Sequence, residues 1–423
     1  MPLGLYISVP FCRTKCSFCN FASDVFSKAA YENYVARLLE DIANSRQFAL
    51  EMGCGLEATL DDTADSIYLG GGTPSILDAA QLLRVFAAVR GQFAVASDAE
   101  ITVECAPGTL TPALIETLLQ CGVNRVSLGV QSFVDREAQS VGRLHKRSTV
   151  LEEIARLREA GLANISVDLI AGLPHQTSES WAFSVSETIA TGVPHVSVYM
   201  LEVDEDSRLG RELIAGGARY HAHFVPDDDA TADFYQQACE MLDSAGIAQY
   251  EISNFARSGS ELVNKSVSNE SRHNLKYWTR QPYLGFGVDA HSMLRVRREE
   301  TVGHQAVRFA TSDSLDAYMN RMPHKVTPVS AQSAIEENFF LGLRLNRGID
   351  LPSIMNCHPE RSEGSAFLSS AIESCIDDCL LERQGSILRL TPRGRLLSNE
   401  VFARFLAEAP PKERKKQKWE PVT

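Results

Sequence analysis

The chain has 423 residues, enough for two domains or for one large domain with an appendage. Its formal net charge of −13 argues against a nucleic-acid partner, because binding phosphates generally needs a basic face. The sequence has no run near the roughly 18 uninterrupted apolar residues of a membrane span, and its N-terminus lacks the basic region of a signal peptide. We therefore expect a cytoplasmic protein, whose ten cysteines are thiols or metal ligands rather than disulfides.

The first 200 residues alternate between short runs rich in Val, Ile and Leu and longer helical patterns. The runs predict buried strands at Leu5–Val9, Ser66–Leu69, Glu100–Glu104, Arg125–Gly129, Ile165–Ile170 and His195–Leu201. The helical patterns are Tyr31–Asn44, Ala79–Val89, Pro112–Gln120, Thr149–Ala160 and Ser178–Thr191. Six strand–helix units predict an α/β fold, a partial (βα)6 TIM-like barrel with a parallel sheet, in which ligands bind at the carboxyl ends of the strands.

Beyond the barrel units, composition divides the chain further. Residues 204–230 are polar and are predicted to form a loop, and the core with its C-terminal extension is expected to span 1–305. Residues 306–409 predict a small winged-helix-like domain that covers the barrel rather than binding DNA. Its predicted elements are the helices Ser330–Leu345 and Ala366–Leu380, the hairpin Gly385–Leu390 and the helix Arg393–Glu408. The basic tail 410–423 is predicted to be disordered, with weak contact to an anionic surface as the alternative.

Three cysteines are grouped directly after the first predicted strand. Cys12, Cys16 and Cys19 have the spacing C-x3-C-x2-C, so three thiolates on one loop could ligate three irons of a cubane cluster and leave the fourth iron open. A zinc site is the alternative, but the run lacks a fourth ligand close by. The other cysteines are interpreted as small core residues: Cys54, Cys105, Cys121, Cys239, Cys357, Cys375 and Cys379.

A glycine turn and four polar residues follow other predicted strands. The run Gly70-Gly71-Gly72-Thr73-Pro74 exposes backbone N–H and C=O groups to which a ligand can come close. Polar side chains at or just past predicted strand ends are Glu104, Gln131 and Asp168, and Arg143 is a fourth polar candidate. A carboxylate can hold ribose hydroxyls and an arginine fork suits a carboxylate, so ligand contact is favoured over isolated structural contacts.

The cysteine loop and its position resemble the radical S-adenosylmethionine superfamily. The resemblance implies a [4Fe–4S] cluster whose open iron binds the methionine moiety of S-adenosylmethionine, with Phe18 packed near the adenine. The cosubstrate residues implied by position are Tyr6, Gly71, Gly72, Thr73, Glu104, Gln131, Arg143 and Asp168.

Longer stretches resemble the oxygen-independent coproporphyrinogen III oxidase group. They include Tyr6–Cys12, Gly122–Phe133, Asp168–Pro174 and Tyr250–Ala256. The oxidases have a fourth cysteine two residues after the third, where this chain has Phe21, and they usually begin with a longer N-terminal segment. Both differences match the HemW-like branch of haem chaperones.

The run His273-Asn274-Leu275-Lys276-Tyr277-Trp278 is also typical of the HemW-like branch. The resemblance implies haem as a cofactor, with His273 as its candidate ligand, since histidine can ligate haem iron and aromatic rings can stack on a porphyrin. The alternative is a loop with a hydrogen-bonded histidine and a core tryptophan. His145 and His291 are weaker candidates, and His175 and His195 are interpreted as structural or surface residues.

The resemblance favours a haem chaperone that delivers haem to recipient haemoproteins, with an electron donor to the cluster and contact with the membrane surface as further expected partners. The alternative is the oxidase itself, which decarboxylates two propionates of coproporphyrinogen III by radical chemistry. A merely structural iron–sulfur protein would leave the glycine turn and the strand-end polar residues without a role.

Overall fold

The computed structural model describes residues 1–52, 58–61, 63–258, 268–296, 304–355 and 362–406. Strands are β1 Leu3–Val9, β2 Ala58–Thr59, β3 Thr63–Gly71, β4 Ala94–Cys105, β5 Arg125–Gln131, β6 Ile165–Ala171, β7 His195–Met200, β8 Ile247–Gln249, β9 Asn254–Arg257, β10 Tyr283–Phe286, β11 His291–Val296, β12 His304–Ala310, β13 Lys325–Ser330, β14 Ile349–Asp350, β15 Leu381–Gln384 and β16 Ile387–Leu390. Helices are α1 Lys28–Ala43, α2 Ser45–Met52, α3 Ala79–Gln92, α4 Pro112–Gln120, α5 Asp135–Ser140, α6 Arg147–Glu159, α7 Ser178–Thr191, α8 Arg208–Ala215, α9 Asp228–Ser244, α10 Arg272–Trp278, α11 Leu315–Met319, α12 Ala331–Gly342, α13 Leu351–Met355, α14 Ser362–Asp377, α15 Pro392–Leu396 and α16 Ser398–Ala403.

The predicted α/β sheet is confirmed. The six predicted strands correspond to β1 and β3–β7, which pair in parallel in the order β1-β3-β4-β5-β6-β7. The four-residue strand β10 adds a seventh parallel strand beside β1, and antiparallel strands extend the sheet from both ends. Among the described residues no pairing closes the two ends of the sheet, so the barrel is partial.

The segment 204–230 differs from the predicted polar loop, because it contains α8 and the start of α9. The hydroxyl of Ser207 accepts a hydrogen bond from the Gly210 N–H and caps α8, while Leu209 is buried. The Glu212 carboxylate accepts hydrogen bonds from the N–H groups of Tyr220 and Ala222, which folds the following turn back onto the helix. The polar composition of the segment conceals these local capping contacts.

The predicted boundary after residue 305 falls inside β12. The strands β12 and β13 pair antiparallel onto β11, so they belong to the main sheet. A second hydrophobic core extends from α12 to Phe405 and includes the small antiparallel sheet β14-β16-β15. The side chains of this second core form a cluster separate from the barrel core. The division between the two units therefore lies near the start of α12. The tail 410–423, the last residues of the helix predicted to end at Glu408, Cys54 and Cys357 lie outside the described residues.

Helix α10 joins the two units. It covers the amino ends of β1 and β3, where the Lys276 ammonium contacts the Asp65 carboxylate at 2.6 Å. On its other side, Arg280 directly after the helix pairs with Glu337 of α12 at 2.7 Å, and the Arg344 guanidinium lies 4.2 Å from the centre of the Trp278 ring. In the described part of the chain, no helix is long and apolar enough to cross a bilayer.

Candidate cofactor site

The cysteine loop lies at the carboxyl edge of the parallel sheet, between β1 and α1. The Lys15 ammonium donates hydrogen bonds to the carbonyl oxygens of Phe21 (2.7 Å) and Ser23 (2.6 Å), which closes the loop on itself. Burial raises the pKa of the Cys12 and Cys19 thiols, and the charge of Lys15 acts in the opposite direction on Cys19. The loop thus brings three free thiols and one cation together.

The loop is also tied to its neighbours along the sheet edge. The Ser17 N–H donates to the Val141 carbonyl oxygen at 3.1 Å, and the Leu209 N–H of α8 donates to the Ser17 carbonyl oxygen at 2.8 Å. No three His, Cys, Asp or Glu side chains among the described residues converge on a position suited to one metal ion. A zinc site takes all its ligands on one ion, whereas a cubane cluster takes each thiolate on a different iron.

The glycine turn after β3 is pressed against the cysteine loop. The N–H groups of Gly72 and Thr73 donate to the carbonyl oxygens of Val9 and Phe11, both at 2.8 Å. A Cβ atom on Gly72 would lie 2.8 Å from each of those two oxygens, so only glycine permits this close approach. The Thr73 hydroxyl lies 3.8 Å from the Cys12 sulfur. Gly72 and Thr73 thus lie directly beside the cysteine loop.

Two carboxylates lie on neighbouring strands inside the barrel. Glu104, near the end of β4, accepts a hydrogen bond from the Tyr68 hydroxyl at 2.8 Å, and burial raises the pKa of Glu104 to about 7. Asp168 of β6 accepts hydrogen bonds from Ser127 at 3.0 and 3.1 Å, and burial raises the pKa of Asp168 as well. Proximity to Asp168 further favours the neutral form of Glu104.

Gln131 and Arg143 lie together above β5. A Cβ atom added to Gly129 would lie 3.1 Å from the Gln131 amide nitrogen and 3.2 Å from an Arg143 guanidinium nitrogen, so the glycine leaves room for both side chains. Gln131 has φ = 68°, next to a register irregularity in β5. The Gln131 Oε1 and Arg143 Nε atoms are buried without a hydrogen-bond partner.

Orphaned polar atoms of this kind are costly unless a ligand satisfies them. A donor and an acceptor therefore await a polar molecule beside the cysteine loop, and the residues fit S-adenosylmethionine, which carries hydroxyl, amine and carboxylate groups. Phe18 packs against the small apolar cluster of Val141, Ile170 and Leu173 and provides an apolar surface next to those polar atoms. Tyr6 lies on the wall of the barrel, with its ring 6.2 Å from that of Tyr68.

The structure places His273, the predicted haem ligand, inside the protein rather than at the surface. Its Nδ1 lies 3.0 Å from the Ser66 hydroxyl and its Nε2 lies 2.8 Å from the Tyr277 hydroxyl, so both ring nitrogens have protein partners. The residue is 1% exposed, and burial lowers the pKa of the imidazole to about 3. It lies beside Gly4 at the amino end of β1, opposite the cysteine loop. The buried, hydrogen-bonded alternative is the one that the geometry supports.

The other histidines divide by location. His145 is buried, its Nε2–H donates to the Val130 carbonyl oxygen at 3.2 Å, and burial lowers the pKa of its imidazole to about 4. His195 is buried between Ser166 and Tyr250. His175 lies on the outside near Arg136. His291 differs from these, because its side chain is 52% exposed and lies at a cavity.

This cavity, which we call the mouth cavity, lies beside the cysteine loop. Its lining comprises Tyr6, Ser8, Pro10, Asn20, Phe21, Ala22, Ser23, Gly71, Gly72, Tyr277, Tyr283, Asp289 and His291. Aromatic residues make up part of this lining, and Asp289 and His291 give it polar side chains. It is shaped by the loop after β10, which reaches the same sheet edge as the cysteine loop because β10 and β1 run parallel.

Sequence patterns missed the serines around Asp168. Ser127 lies two residues before Gly129, so period-two alternation along β5 places both on one face, before the register shift that precedes Gln131. Ser166 and Asp168 share a face of β6 in the same way, with the Ser166 hydroxyl 3.4 Å from the carboxylate. The period-two alternation of side chains, counted along each strand from the predicted ligand residue, identifies these serines.

Comparisons with known proteins agree with this geometry. Residues 6–185 match the model of the Radical SAM superfamily, and residues 329–397 match that of the HemN C-terminal domain. The heme chaperone HemW of Bacillus subtilis (strain 168) is 32% identical over 404 residues, covering 95% of this chain and 99% of the relative. The heme chaperone HemW of Escherichia coli (strain K12) is 33% identical over 291 residues, covering 69% of this chain and 70% of the relative.

Among solved structures, coproporphyrinogen III oxidase (HemN) from Escherichia coli, described as a radical SAM enzyme, superposes with a TM-score of 0.77 at 22% identity, covering 96% of this chain and 90% of that one. At this identity the likeness shows the fold alone. Fold and cysteine loop together define a radical SAM protein, a class that implies a [4Fe–4S] cluster and S-adenosylmethionine. Within that class, the identity and coverage of its relatives show that the chain belongs to the HemW family.

Proposed function

We propose that this chain is a haem chaperone that holds a [4Fe–4S] cluster with S-adenosylmethionine, binds haem, and delivers it to recipient haemoproteins in the cytoplasm. The name of its relatives, heme chaperone, supports haem as the cargo. An electron donor that reduces the cluster and a contact with the membrane surface, where many haem proteins mature, belong to the same proposal.

The observation that carries the proposal is Phe21. In the oxidases that the sequence resembles, this position holds a fourth cysteine, whereas here it supplies an apolar ring that lines the mouth cavity. Phe21 provides an apolar ring at the cavity, against which part of a flat porphyrin can pack, and the buried Tyr277 and Tyr283 lie behind it in the cavity lining. A surface of this kind suits holding a porphyrin better than transforming it.

The cofactor residues have separate roles in this proposal. Cys12, Cys16 and Cys19 ligate three irons, and Lys15 offsets part of the negative charge of the thiolates. When bound, the reduced cluster supplies an electron to the sulfonium of S-adenosylmethionine.

The remaining residues bind and orient the cosubstrate. The glycine turn presents backbone groups to the methionine end. Gln131 and Arg143 offer the unpartnered acceptor and donor, while Glu104 accepts from ribose hydroxyls. Phe18 shields the adenine from water.

A paired incubation tests the proposal. The cluster is first reconstituted in the protein under anaerobic conditions. The protein is then incubated with S-adenosylmethionine and a reductant in two samples, one with coproporphyrinogen III and one with haem. We expect stoichiometric haem binding and no conversion of coproporphyrinogen. A Cys16→Ser variant, which cannot hold the cluster, controls for radical chemistry. Formation of protoporphyrinogen at catalytic turnover by the wild-type protein would overturn the chaperone proposal in favour of the oxidase.

A further inference from the structure

A buried arginine lies inside the barrel, below the cofactor residues. Period-two alternation places Arg125 and Ser127 of β5 on the same face, and Ser127 donates to the Asp168 carboxylate. We propose that Arg125 is a positioning residue of the S-adenosylmethionine site, which keeps the Asp168 carboxylate ionised as a hydrogen-bond acceptor for the cosubstrate. The inference rests on the cosubstrate role of Asp168 in the proposed function and deepens it.

The surroundings of Arg125 do not explain it as a structural residue. It is 2% exposed, and its Nε–H has no hydrogen-bond partner among the described residues. Thr102, its register neighbour on β4, likewise has a buried hydroxyl with no partner in that part of the chain. Burying a guanidinium with an unsatisfied N–H costs free energy. An uncharged side chain would therefore serve a purely structural role better.

Asp168 needs a positive charge nearby to remain ionised. Burial raises the pKa of its carboxyl, whereas hydrogen bonds from Ser197 and Ser127 and the charge of Arg125 lower that pKa. The Ser166 hydroxyl also reaches the carboxylate, at 3.4 Å. These hydroxyls use most of the roughly four acceptor positions of a carboxylate, so about one position remains for a ligand.

The other titratable groups that face Asp168 do not supply this charge. Glu104 on β4 is a second carboxyl, whose pKa burial raises to about 7, and proximity to Asp168 favours its neutral form. Burial raises the pKa of the Tyr68 and Tyr199 hydroxyls, and the nearby carboxylates raise it further. These three groups therefore add negative charge or none.

The two carboxyls of the site thus have separate cations. The charge of Arg143, which follows β5 on the mouth side, lowers the pKa of Glu104. The charge of Arg125 acts on Asp168 from the amino side, because β5 begins at Arg125 and runs towards the mouth. An ionised carboxylate accepts hydrogen bonds about twice as strong as those of a neutral acceptor. Removing the Arg125 charge should therefore weaken the hydrogen bond that the cosubstrate donates to Asp168.

Anaerobic calorimetry with S-adenosylmethionine tests the assignment on full-length, reconstituted proteins between about pH 6 and pH 8.5. The variants are Arg125→Met, which removes the charge, Arg125→Lys, which retains it, and Thr102→Val, which alters an uncharged side chain at the same depth. We expect Arg125→Met to bind about tenfold more weakly at the low-pH end. Its ratio to wild type should shrink as pH rises, because Asp168 then ionises without help. Arg125→Lys should retain most of the affinity, and Thr102→Val should match wild type.

An Asp168→Asn variant completes a double-mutant cycle. Because asparagine cannot ionise, Arg125→Met should have little further effect on affinity in that background. Thermal unfolding of the cluster-free protein should show no loss of stability in Arg125→Met, since an unsatisfied buried charge is removed. If that variant does not fold, Arg125→Gln, also uncharged, takes its place with the same expectation.

The outcomes separate the inference from the function on which it rests. Additive losses in the cycle, or a loss that is equal at every pH, would overturn the inference, because Arg125 would then act independently of Asp168. If Asp168→Asn binds S-adenosylmethionine as wild type does, the role of Asp168 falls together with the inference, while haem binding still tests the chaperone proposal. A wild-type protein that binds no S-adenosylmethionine would overturn the cosubstrate part of the proposed function itself.

Discussion

Polar side chains at the two ends of the barrel have different neighbours. At the amino end, α10 places the ring of His273 between two hydroxyls and the ammonium of Lys276 against a carboxylate. At the carboxyl end, Gln131 and Arg143 keep buried polar atoms without partners. A satisfied buried network contributes to stability, whereas unsatisfied atoms mark a place where a ligand completes the hydrogen bonds. The contacts of His273 and Lys276 thus contribute to stability, whereas Gln131 and Arg143 lie beside the cysteine loop with polar atoms that a ligand could satisfy.

The largest expected effect is at the mouth. Cys16→Ser removes one of three thiolates, so iron bound per chain after anaerobic reconstitution should fall to background, measured as iron and acid-labile sulfide. Cys379→Ser is the matched control, because Cys379 is exposed in the C-terminal unit and should leave the iron content unchanged. Full cluster occupancy in the Cys16 variant would show that the mouth is not a cluster site.

At the amino end, His273→Ala should lower the free energy of unfolding by about 2–4 kcal/mol, because it leaves a cavity and two hydroxyls without their partner. The free energy of unfolding is measured by urea denaturation of the cluster-free protein, monitored by circular dichroism. His223→Ala should be neutral. A stable His273 variant that had lost haem binding would reverse the comparison and assign function to the amino end.

Gln131→Met should weaken S-adenosylmethionine binding about tenfold, or about 1.4 kcal/mol, because the methionine cannot replace the amide that awaits the ligand. The stability of the cluster-free protein should not fall, since an unpartnered buried oxygen is removed. Anaerobic calorimetry measures the affinity for S-adenosylmethionine, and thermal unfolding measures the stability of the cluster-free protein. Loss of stability with unchanged affinity would mean that Gln131 is structural.

The smallest effect concerns pH. Burial raises the pKa of Glu104 from 4.5 to about 7, so the folded state favours the neutral carboxyl. Its contribution to stability is complete below the unfolded-state pKa and is lost as pH rises through about 7. Relative to wild type, Glu104→Gln should therefore gain stability between pH 4.5 and 7, on the order of 1 kcal/mol because the site is partly exposed. Parallel stability curves for the two proteins would contradict this.

Sequence patterns predicted the parallel sheet well, because buried strands need continuous Val, Ile and Leu while the helices carry their own start and stop signals. They also grouped Glu104, Gln131, Arg143 and Asp168, because strand ends meet at one edge of a parallel sheet. They could not assign His273 to an end of the barrel. Its helix comes long after the strands that it covers, and only tertiary packing fixes where it lies.

Similarly, the polar composition of 204–230 concealed α8, whose helix depends on a serine cap and on docking to the cysteine loop. Such contacts between distant residues leave no periodic signal. The strand β10 was missed for a related reason, since four residues that include a glycine are too few to show a pattern.

The bridging position of α10 has a consequence for dissecting the protein. A fragment that ends before α12 would lack Glu337, the partner of Arg280, and Arg344, which contacts the Trp278 ring. The fully buried Glu251 would also lose the Arg344 guanidinium, which lies 3.6 Å from its carboxylate. The helix that seals the barrel would then face water with an indole and an unmatched cation. In a series of C-terminal truncations, we therefore expect the yield of soluble barrel fragment to fall as soon as α12 is removed. The C-terminal unit is thus an integral part of the barrel's closure.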